Sequence, residues 1–176
     1  MFGAASAWAA VSIKEWLVKT GTNGTIRFYG TPAEEGGSGK VYMVRAGLFD
    51  DVDAVLHWHP SSSNGANAES SNANKSAKFR FSGISAHAAG SPHKGRSALD
   101  GVEAMNMMVN MMREHIPQES RIHYVITKGG LAPNVIPDVA EVYYYVRHPR
   151  REKVNEIFNW VVKASEGAAF GTETTV

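Results

Sequence analysis

Residues 4–19 set alanines among Trp8, Val11, Ile13, Trp16 and Leu17 at helical spacing, and Gly21 with Gly24 follows as a stop signal. This pattern predicts a mostly apolar helix of the kind that packs against a sheet. Thr25 to Gly30 is a short run of β-forming residues closed by Pro32. Residues 38–47 suit a helix ending near Gly47, and Ala54 to Trp58 forms a second β-type run closed by Pro60. Strand, helix, strand predicts a βαβ unit with a right-handed connection.

From Ser61 to Asn74 the chain turns to Ser, Asn, Gly and Ala, which cannot build a packed core, so the stretch reads as a linker or long surface loop. Beyond it the pattern predicts a strand at 76–82, a Gly/Ser/His loop and a long helix at 95–115. Strands at 121–128 and 139–147 follow, then a helix at 150–164. The order β-α-β-β-α is one strand short of a split βαβ sandwich. β-branched residues gather again from Thr172 to Val176, where a further strand would start. On this reading the chain is cut at both ends, since the first helix should itself follow a strand. The fold class expected is α/β. A partial catalytic domain at residues 1–73 precedes a two-layer α+β lid of split βαβ, ferredoxin-like type at 74–176.

Composition narrows the function only modestly. The 176 residues are 43% hydrophobic and 20% charged, a normal globular balance. Lys and Arg total 18 against 17 acidic residues, so no overall field favours nucleic acid or an anionic membrane. The absence of cysteine excludes disulfides and thiolate zinc sites and fits a cytoplasmic location by default. Lys14 and Glu15 interrupt the first helix, which is therefore read as neither a signal peptide nor a membrane span.

Candidate chemistry clusters where predicted strands end. Glu34 and Glu35, in Thr-Pro-Ala-Glu-Glu-Gly-Gly, follow the first predicted strand, and His57 and His59 belong to the next, so all should approach one sheet edge. Adjacent carboxylates raise each other's pKa unless a cation is near, and a divalent ion is the common remedy where no Lys or Arg flanks them. In an extended segment neighbouring side chains face opposite ways, so one glutamate can bind metal while the other faces a water. A solvated acidic turn and satisfied edge histidines are the plain alternatives. His87 lies in a loop of small residues, Asn134 in the turn Gly129 to Asn134, and Arg147 ends the strand Tyr-Tyr-Tyr-Val-Arg. A guanidinium there can grip a carboxylate in bidentate fashion, or be an ordinary solvated edge arginine. The methionines at 105, 107, 108, 111 and 112 suit adaptable packing or a helix–helix contact.

Taken together, five stretches resemble the metal-dependent amidohydrolases that include carboxypeptidase G-like enzymes, aminoacylases and auxin-conjugate hydrolases. They are Phe2 to Ala7, Gly30 to Gly37, Asp51 to Pro60, Ser82 to Ala89, and Gly130 to Asp138 with Val146-Arg147. Within that family the likeness is greatest to the aminobenzoyl-glutamate hydrolase group. The resemblance implies two divalent ions, zinc or manganese, with Glu35 and His59 as metal ligands and Glu34 as catalytic base and acid. It also implies that His87 reaches a partner's active site across a lid-mediated homodimer, and that Asn134 and Arg147 hold the substrate's carboxylate. The substrate class implied is an N-acyl or aminobenzoyl amino acid, with room for a second, different subunit.

The chain also departs from that pattern. The family places a Cys-Gly-His-like motif just before the first helix and a further histidine ligand well beyond the last residue here, and neither is in this sequence. The expectation is therefore a fragment, inactive alone. The reading from another class is a non-catalytic lid-type dimerisation or small-ligand-binding module.

Overall fold

The structure, a computed structural model, describes residues 2–66, 68 and 70–176. It consists of two compact units divided between residues 67 and 68.

The first unit holds two helices, α1 (Phe2–Thr20) and α2 (Gly39–Arg45). Gly21, at φ 67°, ends α1: its N–H reaches the Val18 carbonyl (3.4 Å) while that of Thr22 reaches Leu17 (3.1 Å). This double closure satisfies carbonyls that a helix end leaves open. The segments 25–30 and 54–58, expected as strands, are not strands in the structure. The physical reason is that a parallel pair relies on flanking strands and covered faces, which two short segments do not supply to each other. Side chains hold the first segment instead. Arg27 clamps Asp51 in bidentate fashion (2.6 and 2.5 Å), and the Tyr29 hydroxyl donates to the Leu48 carbonyl (2.9 Å). Among the described residues of this unit none is buried, and Trp8, Trp16, Phe28 and Leu56 are exposed.

The second unit contains the core. Strands β1 (Ala73–Ser82), β2 (Arg121–Lys128) and β3 (Val139–His148) form an antiparallel sheet in the order β1-β3-β2. Helices α3 (Ala98–Met112) and α4 (Arg151–Gly171) cover one face of it. Strict alternation along β3 turns Ala140, Val142, Tyr144 and Val146 inward. They meet Phe81 from β1, Val102, Met105 and Val109 from α3, and Val161 from α4. Each fully buried Val, Met or Phe among them stabilises the fold by about 1.5–3 kcal/mol. The buried Tyr144 hydroxyl donates to Asn106 Oδ1 (2.5 Å).

Three differences from the sequence reading have local causes. Helix α3 starts only at Ala98 because Ser97 caps it, accepting from the Asp100 N–H (3.1 Å). Helix α4 runs on to Gly171, since Ala164, Ser165, Ala168 and Ala169 are all buried. The last residues touch the sheet through a single antiparallel bridge, Ser82 to Thr175. That bridge lies on the edge of β1 left open by β3, the place a fourth strand takes in a split βαβ sandwich.

Candidate functional site

The turn around the two glutamates is tightly built. Ala33 and Ser38 adopt left-handed backbone (φ 54° and 52°), a conformation that costs an L-residue about 1–2 kcal/mol. A Cβ on Gly37 would lie 2.4 Å from that of Ala33, and one on Gly39 would lie 2.0 Å from the Pro32 carbonyl oxygen, so only glycine fits at either place. Glu34 and Glu35 stand exposed between these constraints. His59 is exposed in an irregular segment, with Nδ1 2.9 Å from the Pro60 carbonyl oxygen, and His57 makes the same kind of contact with Trp58 (2.8 Å). Carboxylate and imidazole are suitable donors for zinc or manganese. Among the described residues, however, no group of three or more His, Asp or Glu side chains is gathered to hold an ion. A catalytic zinc takes three protein donors and a water, so the residues present do not amount to a complete metal site.

In the second unit two loops zip together at one end of the sheet. Ile84 and Arg96 exchange backbone hydrogen bonds (2.8 and 2.9 Å), the Ile136 N–H donates to the Ala86 carbonyl (2.9 Å), and the Ala88 N–H donates to that of Asn134 (3.0 Å). His87 and Asn134 are thereby brought side by side. The His87 Nδ1 accepts from the backbone N–H groups of Ala89 (3.2 Å) and Gly90 (3.0 Å). With Nδ1 occupied as an acceptor, the neutral ring carries its proton on Nε2, which makes that nitrogen a donor. Backbone geometry alone thus leaves the His87 Nε2–H to donate to an acceptor outside the loop.

Arg147 is not at that end. Val139 pairs with Ser82 beside the zipped loops, whereas Arg147 pairs with Asn74 at the other end of β1. Eight residues of strand separate them, roughly 27 Å at the ordinary rise. Arg147 lies on the face of the sheet that no helix covers, with its guanidinium 5.4 Å from the centre of the Tyr145 ring.

That open face carries side chains the sequence reading did not single out. Lys78 opposes Tyr143, Ser76 opposes Tyr145, and on the other side His123 opposes Tyr145 and Arg121 opposes Arg147. The Tyr143 and Tyr145 hydroxyls lie 3.3 Å apart. Their mutual hydrogen bond lowers the Tyr143 pKa and raises that of Tyr145. Alternation marks all these positions as outward, but only the strand register shows which of them are neighbours.

The three-stranded antiparallel sheet and its two helices lie within residues 70–172, which the Peptidase dimerisation domain family (M20) matches. The chain belongs to that family. It is 52% identical over its whole length to a p-aminobenzoyl-glutamate hydrolase subunit from Escherichia coli K12, of which it covers 37%. Over 99% of its length it is 30% identical to the human Xaa-Arg dipeptidase, of which it covers 40%. The crystal structure of the aminobenzoyl-glutamate utilization protein from Klebsiella pneumoniae superposes on 59% of this chain with a TM-score of 0.51 and 25% identity, covering 26% of that protein. The chain therefore spans well under half the length of these relatives. No helix among the described residues is long and apolar enough to cross a membrane.

Proposed function

We propose that this chain is the lid, with part of the metal-binding region, of a dimeric amidohydrolase that cleaves N-acyl or aminobenzoyl amino acids. Aminobenzoyl-glutamate is the favoured substrate, because the relative that matches the whole chain at 52% identity carries that name. Two divalent ions, zinc or manganese, would polarise the amide carbonyl when bound, with Glu35 and His59 among their ligands. Glu34 takes the proton of the attacking water and hands it to the leaving amine. His87 donates from Nε2 to the oxyanion, and Asn134 and Arg147 bind substrate. The lack of a three-donor cluster among the described residues favours the second reading, a lid-type module that binds without catalysis, for the isolated chain.

The observation that carries the proposal is the separation of His87 and Asn134 from Arg147 across the length of the sheet. Residues so far apart on one rigid sheet act on one small substrate only if two protomers contribute. In a two-fold dimer each site then takes His87 and Asn134 from one subunit and Arg147 from the other. In the full hydrolase carrying this segment, His87→Ala and Arg147→Ala are each expected to abolish turnover. Co-expressed, they rebuild one intact site per mixed dimer, about a quarter of wild-type activity under random pairing. No recovery on mixing would mean that both residues serve the same subunit's site.

A further inference from the structure

The open sheet face contains an arrangement that the hydrolytic reading leaves unused. Arg121 and Arg147 are directly opposite each other on β2 and β3. Opposed residues of an antiparallel pair share a face, with Cβ atoms roughly 5 Å apart, and like charges so placed repel. Nothing acidic relieves them: among the described residues neither arginine takes part in an ion pair. On the far side of Arg147 stands the neutral Asn74. The acidic residue of this face, Glu141, is three rows away and engaged with Lys78 (3.4 Å) and Thr127 (2.8 Å).

The Arg121 guanidinium is also held in place. Arg121 donates from Nη1 to the carbonyls of Gln118 and Ser120 (2.7 Å each), which anchors one side of the fork and leaves Nε and Nη2 for a ligand. Arg147 sits beside the Tyr145 ring, and its Nε is buried without a hydrogen-bond partner. A buried donor of this kind is costly unless something accepts from it. Two planar forks in one row, one of them anchored and neither with a carboxylate partner among the described residues, match a ligand carrying two carboxylates a few bonds apart.

We propose that Arg121 is a specificity residue that reads the second carboxylate of a dicarboxylic amino acid whose first carboxylate is held by Arg147. The ligand class is thus N-acyl aspartate or glutamate, in preference to N-acyl amino acids with neutral side chains. The proposal rests on the reading of Arg147 given above. It extends that reading to a residue whose relevance only the register discloses.

The test is calorimetric or NMR titration of this chain, and of its Arg121→Gln and Arg147→Gln variants, with N-benzoyl-glutamate, N-benzoyl-glutamine and inorganic phosphate. Wild type is expected to prefer the glutamate compound by roughly tenfold or more, the worth of one charge-assisted hydrogen bond. Arg121→Gln should abolish that preference while leaving the glutamine compound's affinity unchanged, and Arg147→Gln should weaken both. Arg121→Lys, which keeps the charge without the fork, should fall between. Equal binding of the two compounds by wild type, or an unchanged preference in Arg121→Gln, overturns the role of Arg121 and leaves that of Arg147 standing. Binding untouched by Arg147→Gln but with its glutamate preference still lost in Arg121→Gln overturns the reading of Arg147 instead. Phosphate competing as strongly as the glutamate compound would reduce the row to a generic anion patch, and no saturable binding would overturn both roles.

Discussion

Glu141 shows how one residue on the open sheet face ties stability to pH. Its carboxylate accepts from the Thr127 hydroxyl, which outweighs the desolvation it suffers, and Lys78 adds a further favourable charge, so its pKa is held below the usual glutamate value. A carboxyl whose folded pKa is depressed contributes stability above its unfolded value, and that contribution is lost as pH falls through the folded one. The window lies below the ordinary glutamate value of 4.5. Glu141→Gln is therefore expected to be less stable than wild type at neutral pH and to lose less on acidification through that window, as followed by thermal melts. Thr127→Val should move the Glu141 titration upward in NMR. An unmoved titration would assign the shift to the lysines, Lys78 and Lys128.

At the scale of elements, the packing of α3 on β1 depends on a residue with no side chain. A Cβ at Gly101 would lie 2.5 Å from Phe81 Cδ1 and 2.9 Å from Thr174 Oγ1, so the helix sits closer to the sheet there than any other residue allows. Gly101→Val is expected to cost about 1–3 kcal/mol as overpacking, read as a lower melting temperature with near-native far-UV circular dichroism. A melt unchanged from wild type would show that the helix shifts outward at no cost. The helix itself was legible from the spacing of its apolar residues, but the glycine's role was not. Periodicity reports which face is buried, whereas interaxial distance depends on the facing element, here Phe81.

The molecule as a whole is uneven, with one unit built around a core and one without a buried residue among those described. In the core-bearing unit an apolar surface remains between α3 and the open edge of β2. It is a shallow hollow of about 620 Å3 lined in part by Met107, Met111, Tyr124 and Ile126. Met107 and Met111 are 62% and 63% exposed, too much for the core packing their spacing also suited. If the chain dimerises as proposed, this face and the strand edge beside it are the apolar, unpaired surface on which a second copy would dock. Replacing Met107 and Met111 together by Glu should halve the mass in light scattering without lowering the melting temperature, since both side chains are solvated in the monomer. A double variant that stays dimeric would move the interface elsewhere.

Much of the second unit was determined by the sequence alone. Alternation along β3 and the spaced apolar positions of α3 and α4 act locally, and each became the element it signalled. The short motifs around Glu34, His59, His87, Asn134 and Arg147 likewise marked candidate chemistry, because turns and strand ends announce themselves through Gly, Pro and charged residues. Tertiary structure decided what those signals could not contain. Segments 25–30 and 54–58 have strand-like composition but no ladder, because a strand exists only through the hydrogen bonds its neighbours supply. Strand register separated Arg147 from His87 and Asn134 and set Arg121 opposite it, since pairing across a sheet joins residues whose distance along the chain says nothing of their distance in space.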